Sequence, residues 1–146
     1  PKLKEGDRQA LEGFYYVPPS RMNPNSQFHL SFDLGFPNEY DTYHGRMGTF
    51  LMVHGNCVSA GCYAMTDIRM EEIYTLVAAA LGDGQKYFRV HAFPFRMTDS
   101  RMNQEFKKKG KWLEFWGNLK EGYDYFEMMK LPPNTSVKDG KYAFGS

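Results

Sequence analysis

A thiol attacks a carbonyl only as its thiolate, so a cysteine meant for chemistry needs a base or a positive field within reach. The segment His54-Gly55-Asn56-Cys57-Val58-Ser59-Ala60-Gly61-Cys62 sets an imidazole eight residues ahead of a second thiol. Histidine ordinarily titrates near neutrality and is suited to take that proton. Ser59, Ala60 and Gly61 are small, and a turn built from them can aim backbone N–H groups at a developing oxyanion. The spacing alone also fits a plainer reading, a buried cysteine acting as a small hydrophobe beside a histidine satisfied at a strand end. Cys57 and Cys62, the two cysteines present, are too few for a disulfide framework or a four-ligand zinc site. A disulfide between them is chemically allowed in an oxidising compartment, provided the turn brings them close.

The elements that would position these residues follow from periodicity and punctuation. Phe50-Leu51-Met52-Val53, between Gly48 and His54-Gly55, reads as a buried strand with His54 at its end, and residues 56–61 as a turn delivering Cys62 to its edge. Phe28, Leu30, Phe32 and Leu34 alternate with polar residues, the period of a half-buried strand, and residues 37–43 read as a loop. Short aromatic strands are expected at Gly13 to Val17, stopped by Pro18-Pro19, and over 87–93, closed by Pro94. Asp67 is placed to cap a helix whose apolar face is Met70, Ile73, Val77, Ala80 and Leu81, with Gly82 as its stop. Helices are expected over 102–109 and 112–119, then a terminal loop or hairpin around Asp139-Gly140. The fold class is therefore mainly β or α+β, with helices packed on strands.

Composition narrows the function classes. At 146 residues, with 42% hydrophobic and 24% charged, the chain is a single domain able to bury a core. A net charge of +1 gives no electrostatic case for nucleic acid, and Lys107-Lys108-Lys109 with Lys111 reads as a solvated helix end. No apolar stretch approaches the ~20 residues needed to span a bilayer. The opening Pro1-Lys2-Leu3-Lys4 looks like the middle of a longer chain, so the lack of a signal peptide says nothing about export. No metal-ligand cluster or nucleotide loop is visible, and no cofactor is expected.

The motif Ser59-Ala60-Gly61-Cys62 resembles the Ser/Thr-x-Gly-Cys signature of the L,D-transpeptidases, the YkuD-type family. The stretch from Phe50 to Asp67 is similar to a periplasmic, murein-acting branch of it. So are Gly6-Asp7-Arg8-Gln9, Glu12-Gly13-Phe14-Tyr15, and Phe36-Pro37-Asn38 with Asp41. The resemblance runs from about residue 6 to Phe93, and the stretch from Phe115 to Phe126 resembles the branch's own C-terminal extension. It implies a β-sandwich-like catalytic domain over 1–146 with packed helices, a C-terminal helical extension over 99–146, and opening strands ahead of Pro1. It also implies Cys62 as nucleophile, His54 as base and the Gly55 carbonyl as the orienting group. Ser59, Ala60, Gly61 and Tyr63 would line the substrate. The implied substrate is the peptidoglycan stem peptide, attacked at the L-centre carbonyl of diaminopimelate through a thioester, and murein-linked lipoprotein is a further implied partner.

Three departures bear on the chemistry. Ala60 stands where many members carry a second histidine, and Ala64 where many carry arginine. The His54-to-Cys62 gap is also short, leaving little chain for a lid; this favours hydrolysis over transfer to an amine. His44, eighteen residues before Cys62, is a rival base, although it falls in a polar segment rather than at a strand end. His29 and His91 read as structural. A catalytically idle murein-binding module is the reading from another class.

Overall fold

The structure, a computed structural model, describes residues 1–56 and 61–145. Strands β1 (Gly13–Val17) and β6 (Phe88–Ala92) pair antiparallel in a two-stranded ribbon. A four-stranded sheet has the order β2 (Met22–Ser26), β3 (His29–Asp33), β4 (Met52–His54), β5 (Tyr63–Ala64). Its first pairs are antiparallel and β4–β5 is parallel. Helices α1 (Glu39–Tyr43), α2 (Asp67–Gly82), α3 (Asp99–Lys107) and α4 (Leu113–Met129) accompany them, and β7 (Asn134–Lys138) with β8 (Lys141–Gly145) forms a terminal hairpin. The fold is α+β.

Side-chain alternation gives the ribbon two working faces. Tyr15, Val17 and Ala92, with Phe88 and Val90 packed beside them, face Phe32, Leu34, Leu51, Val53 and Met70 in a first core. Phe32 meets Phe88 edge-on at 5.1 Å. Phe14 belongs to a second core with Met97, Met102, Phe115, Leu119 and Tyr142, and Phe93 packs against it. One ribbon thus backs the sheet that ends in His54 and also seats the C-terminal helices.

Several expectations need correction. Residues 37–43 are not all loop: α1 is capped by Asn38, whose side chain accepts from Asp41 N while Asp41 accepts from Asn38 N. A five-residue helix has no visible apolar period; its legible signal is the capping box Asn38-x-x-Asp41. The cap of α2 is Thr66, whose side chain accepts from Arg69 N, and not Asp67. The last helix runs ten residues beyond Leu119, to Met129, and ends on Lys130 at φ 56°. Asn118 extends its order to the hairpin, donating to Tyr142 O at 2.9 Å and accepting from Tyr142 N at 2.8 Å.

Candidate active site

His54 closes β4 and is 2% exposed. Neighbouring backbone holds it from both sides, since Gly55 N donates to Leu30 O and His54 O accepts from Met65 N. The imidazole lies against the Phe28 ring, with centroids 4.6 Å apart. Its Nδ1–H donates to Gly55 O at 2.5 Å, which fixes the ring and leaves Nε2 as the nitrogen able to accept a proton. A carbonyl serving the residue just before it requires a tight local bend. Gly55 permits it, because a Cβ there would sit 2.6 Å from Phe28 O and 2.7 Å from Asp67 Oδ1.

Asp67 therefore has a job other than capping. Its Oδ1 accepts from Asn56 N at 2.7 Å, tying the left-handed Asn56 (φ 63°) to the first residue of α2. Sequence reasoning missed this clamp; the doublet Thr66-Asp67 was its signal, one residue to cap the helix and one to reach back.

Cys62 is half-buried, packs against the first core and directly precedes β5. Its Sγ lies 3.8 Å from Phe50 O. The parallel register pairs His54 with Ala64, so alternation puts Cys62, Ala64 and His54 on one face of adjacent strands. Tyr63 points the other way, donating to Leu11 O at 2.7 Å; burial and the nearby Glu12 charge push its phenol up to about 12. Gly61, at φ 131°, approaches a buried lysine: a Cβ there would lie 3.0 Å from Lys2 Nζ. Lys2 pairs with Asp7 Oδ1 at 3.1 Å. Burial pushes the Asp7 carboxyl up, but the N–H groups of Leu3, Gln9 and Lys4 and the Lys2 ammonium outweigh it and hold the group below the usual carboxylate range. This Lys2–Asp7 support was not legible from the motif. Cys57, Ser59 and Ala60 lie outside the described residues, and with them the oxyanion turn and the Cys57–Cys62 disulfide.

The other histidines are engaged elsewhere. His44 Nε2 donates to Gly140 O at 2.7 Å with its ring on Tyr40. His29 Nε2 meets Glu71 Oε1 at 2.8 Å. His91 packs edge-on to Phe14. Among the described residues no cluster of three or more His, Cys, Asp or Glu could hold a metal ion, and no helix is long and apolar enough to cross a membrane.

A strand-end histidine tied to the next carbonyl, and a cysteine directly preceding the neighbouring strand, agree with the sequence relationship: the chain belongs to the L,D-transpeptidase family. It is 46% identical over 142 residues to the Escherichia coli protein described as "Putative L,D-transpeptidase YafK", in strain K12 and in O157:H7. The match covers 97% of this chain and 57% of that protein, so the chain spans little more than half the length of these relatives. No protein-family model matches. Among solved structures, the helical cell shape determining protein Pgp2 of Campylobacter jejuni is similar at TM-score 0.48 and 19% identity, over 94% of this chain and 59% of that one.

Proposed function

We propose that the chain is a cysteine-dependent enzyme acting on peptidoglycan stem peptides in the periplasm, with Cys62 as nucleophile, His54 as base and hydrolysis as the favoured outcome. The observation that carries this reading is the His54 Nδ1–Gly55 O bond, which aims Nε2 as base on the strand next to Cys62. Nε2 takes the Cys62 proton as sulfur attacks the L-centre carbonyl of diaminopimelate. The backbone N–H groups of Ser59, Ala60 and Gly61 are the donors proposed for the oxyanion; Tyr63, whose hydroxyl donates to Leu11 O on the opposite face, has no part in that role. The C–N bond then breaks, and His54 returns the proton to the departing amine. Water, deprotonated by His54, next attacks the thioester; the acid leaves and the thiol is restored.

Hydrolysis is favoured for two reasons. Only seven residues separate His54 from Cys62, too few for a substantial lid. Trp112, Phe115, Trp116 and the stretch 123–126 are the aromatic residues able to fold over the site; Phe115 is buried in the second core, Trp112, Trp116 and Tyr123 pack against it, Trp116 Nε1 donates to Glu12 Oε2 at 2.8 Å, and Phe126 lines a cavity beside β6. A short connection between base and nucleophile also suits a bulky substrate such as murein-bound lipoprotein. The whole chain is read as one catalytic domain, with 99–146 as its C-terminal extension and the ribbon and four-stranded sheet as the layers of a sandwich; the core shared between them supports that reading. Incubation with stem tetrapeptide and a free amine acceptor tests the outcome. Free tripeptide is expected; a dominant amine adduct would make the enzyme a transpeptidase.

A further inference from the structure

Across β6 from the first core lies a cleft that the proposed chemistry does not use. Phe88, Val90 and Ala92 point into that core, so Arg89, His91 and Phe93 emerge on the opposite side, facing α4. There they line a cavity of about 460 Å³ with Tyr123, Phe126 and Glu127. That size falls within the roughly 300–1,000 Å³ of small-ligand sites.

Its polar groups are poised and incompletely satisfied. Arg89 is held rigid, with Nη2 donating to Asn134 Oδ1 at 2.5 Å and the guanidinium 5.8 and 5.3 Å from the Tyr16 and Tyr87 ring centroids. No carboxylate lies within ion-pair distance of it among the described residues, and its buried Nε has no partner. Glu127, the acid of the cleft, is taken by Lys130 at 3.1 Å. His91 Nε2 is likewise buried without a partner. Burial, reinforced by Arg89, lowers the His91 pKa to about 4, so at neutral pH it adds hydrogen-bonding capacity and no charge. A guanidinium fixed between two rings and lacking a counter-charge keeps donor capacity beyond the Asn134 bond, and a carboxylate is the group that answers both its charge and its donors. Beside it Phe93 and Tyr123, edge-to-face at 5.2 Å, and Phe126 offer apolar surface.

We propose that this cleft is a second binding site for an acidic peptide, with Arg89 taking a carboxylate and Phe93, Tyr123 and Phe126 the adjoining aliphatic segment. Only the identity of the natural ligand, a second stem peptide of the same polymer, rests on the function proposed above. The cleft would let the enzyme hold the polymer at a point separate from the bond it cuts.

The test is an NMR titration of the full chain carrying Cys62→Ala, which cannot turn over a stem tetrapeptide. Turnover by the Cys62 protein is measured separately, so failure of the cysteine mechanism and failure of the cleft are distinguishable. Saturable shifts are expected at the amides of Arg89, His91, Phe93 and Tyr123, and Arg89→Gln should weaken them about tenfold, as loss of a charge-assisted hydrogen bond does. Shifts near Gly55 and Gly61 should persist in that variant. If Arg89→Gln misfolds, Phe126→Ser on the exposed rim replaces it, with weakening again expected. Absence of shifts in the cleft, equal shifts with neutral chitotriose or with inorganic phosphate, or undiminished affinity in the variant would each overturn the proposal.

Discussion

The two faces of the β1–β6 ribbon are packed by alternate residues of the same strands, yet their chemistry differs. Toward the first core the ribbon presents Tyr15, Val17, Phe88 and Val90 as a passive support for the sheet. Apart from the Tyr15 hydroxyl, which crosses to Asp41, the polar contacts on that side are the Gly55 carbonyl, the Asp67 clamp and the Lys2–Asp7 pair. Toward the second core the packing is dominated by rings, with Phe14 meeting His91, Phe93, Tyr142 and Phe144 edge-on. Beside that layer runs a buried ionic network. Asp41 accepts from Tyr15 OH and pairs with Arg46, whose guanidinium lies 4.7 Å from the Phe115 ring centroid. The difference teaches a division of labour: one face positions the candidate site residues, and the other supplies stability around them. Substitutions on the two sides should therefore separate turnover from stability.

The largest effect is expected at the nucleophile. Cys62→Ala should abolish product release from sacculi while melting near the parent, and Cys57→Ala should keep most of the rate; near-parental release by Cys62→Ala would remove the assignment. On the stabilising side, Arg46→Met strands the fully buried Asp41 carboxylate. Breaking such a pair costs about 3–5 kcal/mol. Urea denaturation should show the loss, while the rate per folded molecule stays close to parental.

His54→Ala should slow turnover about a hundredfold or more, as loss of a general base does. His44→Ala should leave the rate nearly intact and lower the melting temperature, since Gly140 O loses its donor. Equal rates for His54→Ala and the parent would move the base elsewhere. Gly122→Ala is expected to cost about 1–3 kcal/mol by overpacking, because its Cβ would press on Phe14 and lie 2.5 Å from Phe144 Cε1. Retained stability would mean those rings can retreat.

The smallest effect is a pH dependence. Burial, then Arg89, depresses the His91 pKa from 6.5 to about 4. The unfolded chain thus binds a proton that the folded chain refuses, and stability falls as pH drops from 6.5 through about 4. Tyr123, Phe126 and Glu127 face it from α4, and Arg89 is its neighbour on β6. Melting curves of His91→Phe should be flatter than the parent's across that window; identical curves would show that the proton is absorbed elsewhere.

Much of this was legible because period and punctuation act locally. The alternation over 28–34 became β3, and Met70 is fully buried as the helical period requires; of the apolar run before His54 only Met52 and Val53 entered β4, while Phe50 is 73% exposed at φ 52°. The candidate nucleophile and base were readable from one nine-residue segment. What escaped was long-range. Asp67 reaching back to Asn56, Lys2 beneath Gly61, and Asn118 pinning Tyr142 depend on chain returns that no window reveals. β2 escaped for the opposite reason, since Pro24 and exposed polar residues give an edge strand no apolar period.

Covalent chemistry at Cys62 is the central step of the proposed function. Acid-quenching the enzyme within its first turnovers on stem tetrapeptide, then mapping its peptides by mass, tests that directly. A peptidyl thioester on the Cys62 peptide, absent from Cys62→Ala and persisting longer in His54→Ala, is the predicted result. An unmodified Cys62 during active turnover, or an adduct on Cys57 instead, would contradict it.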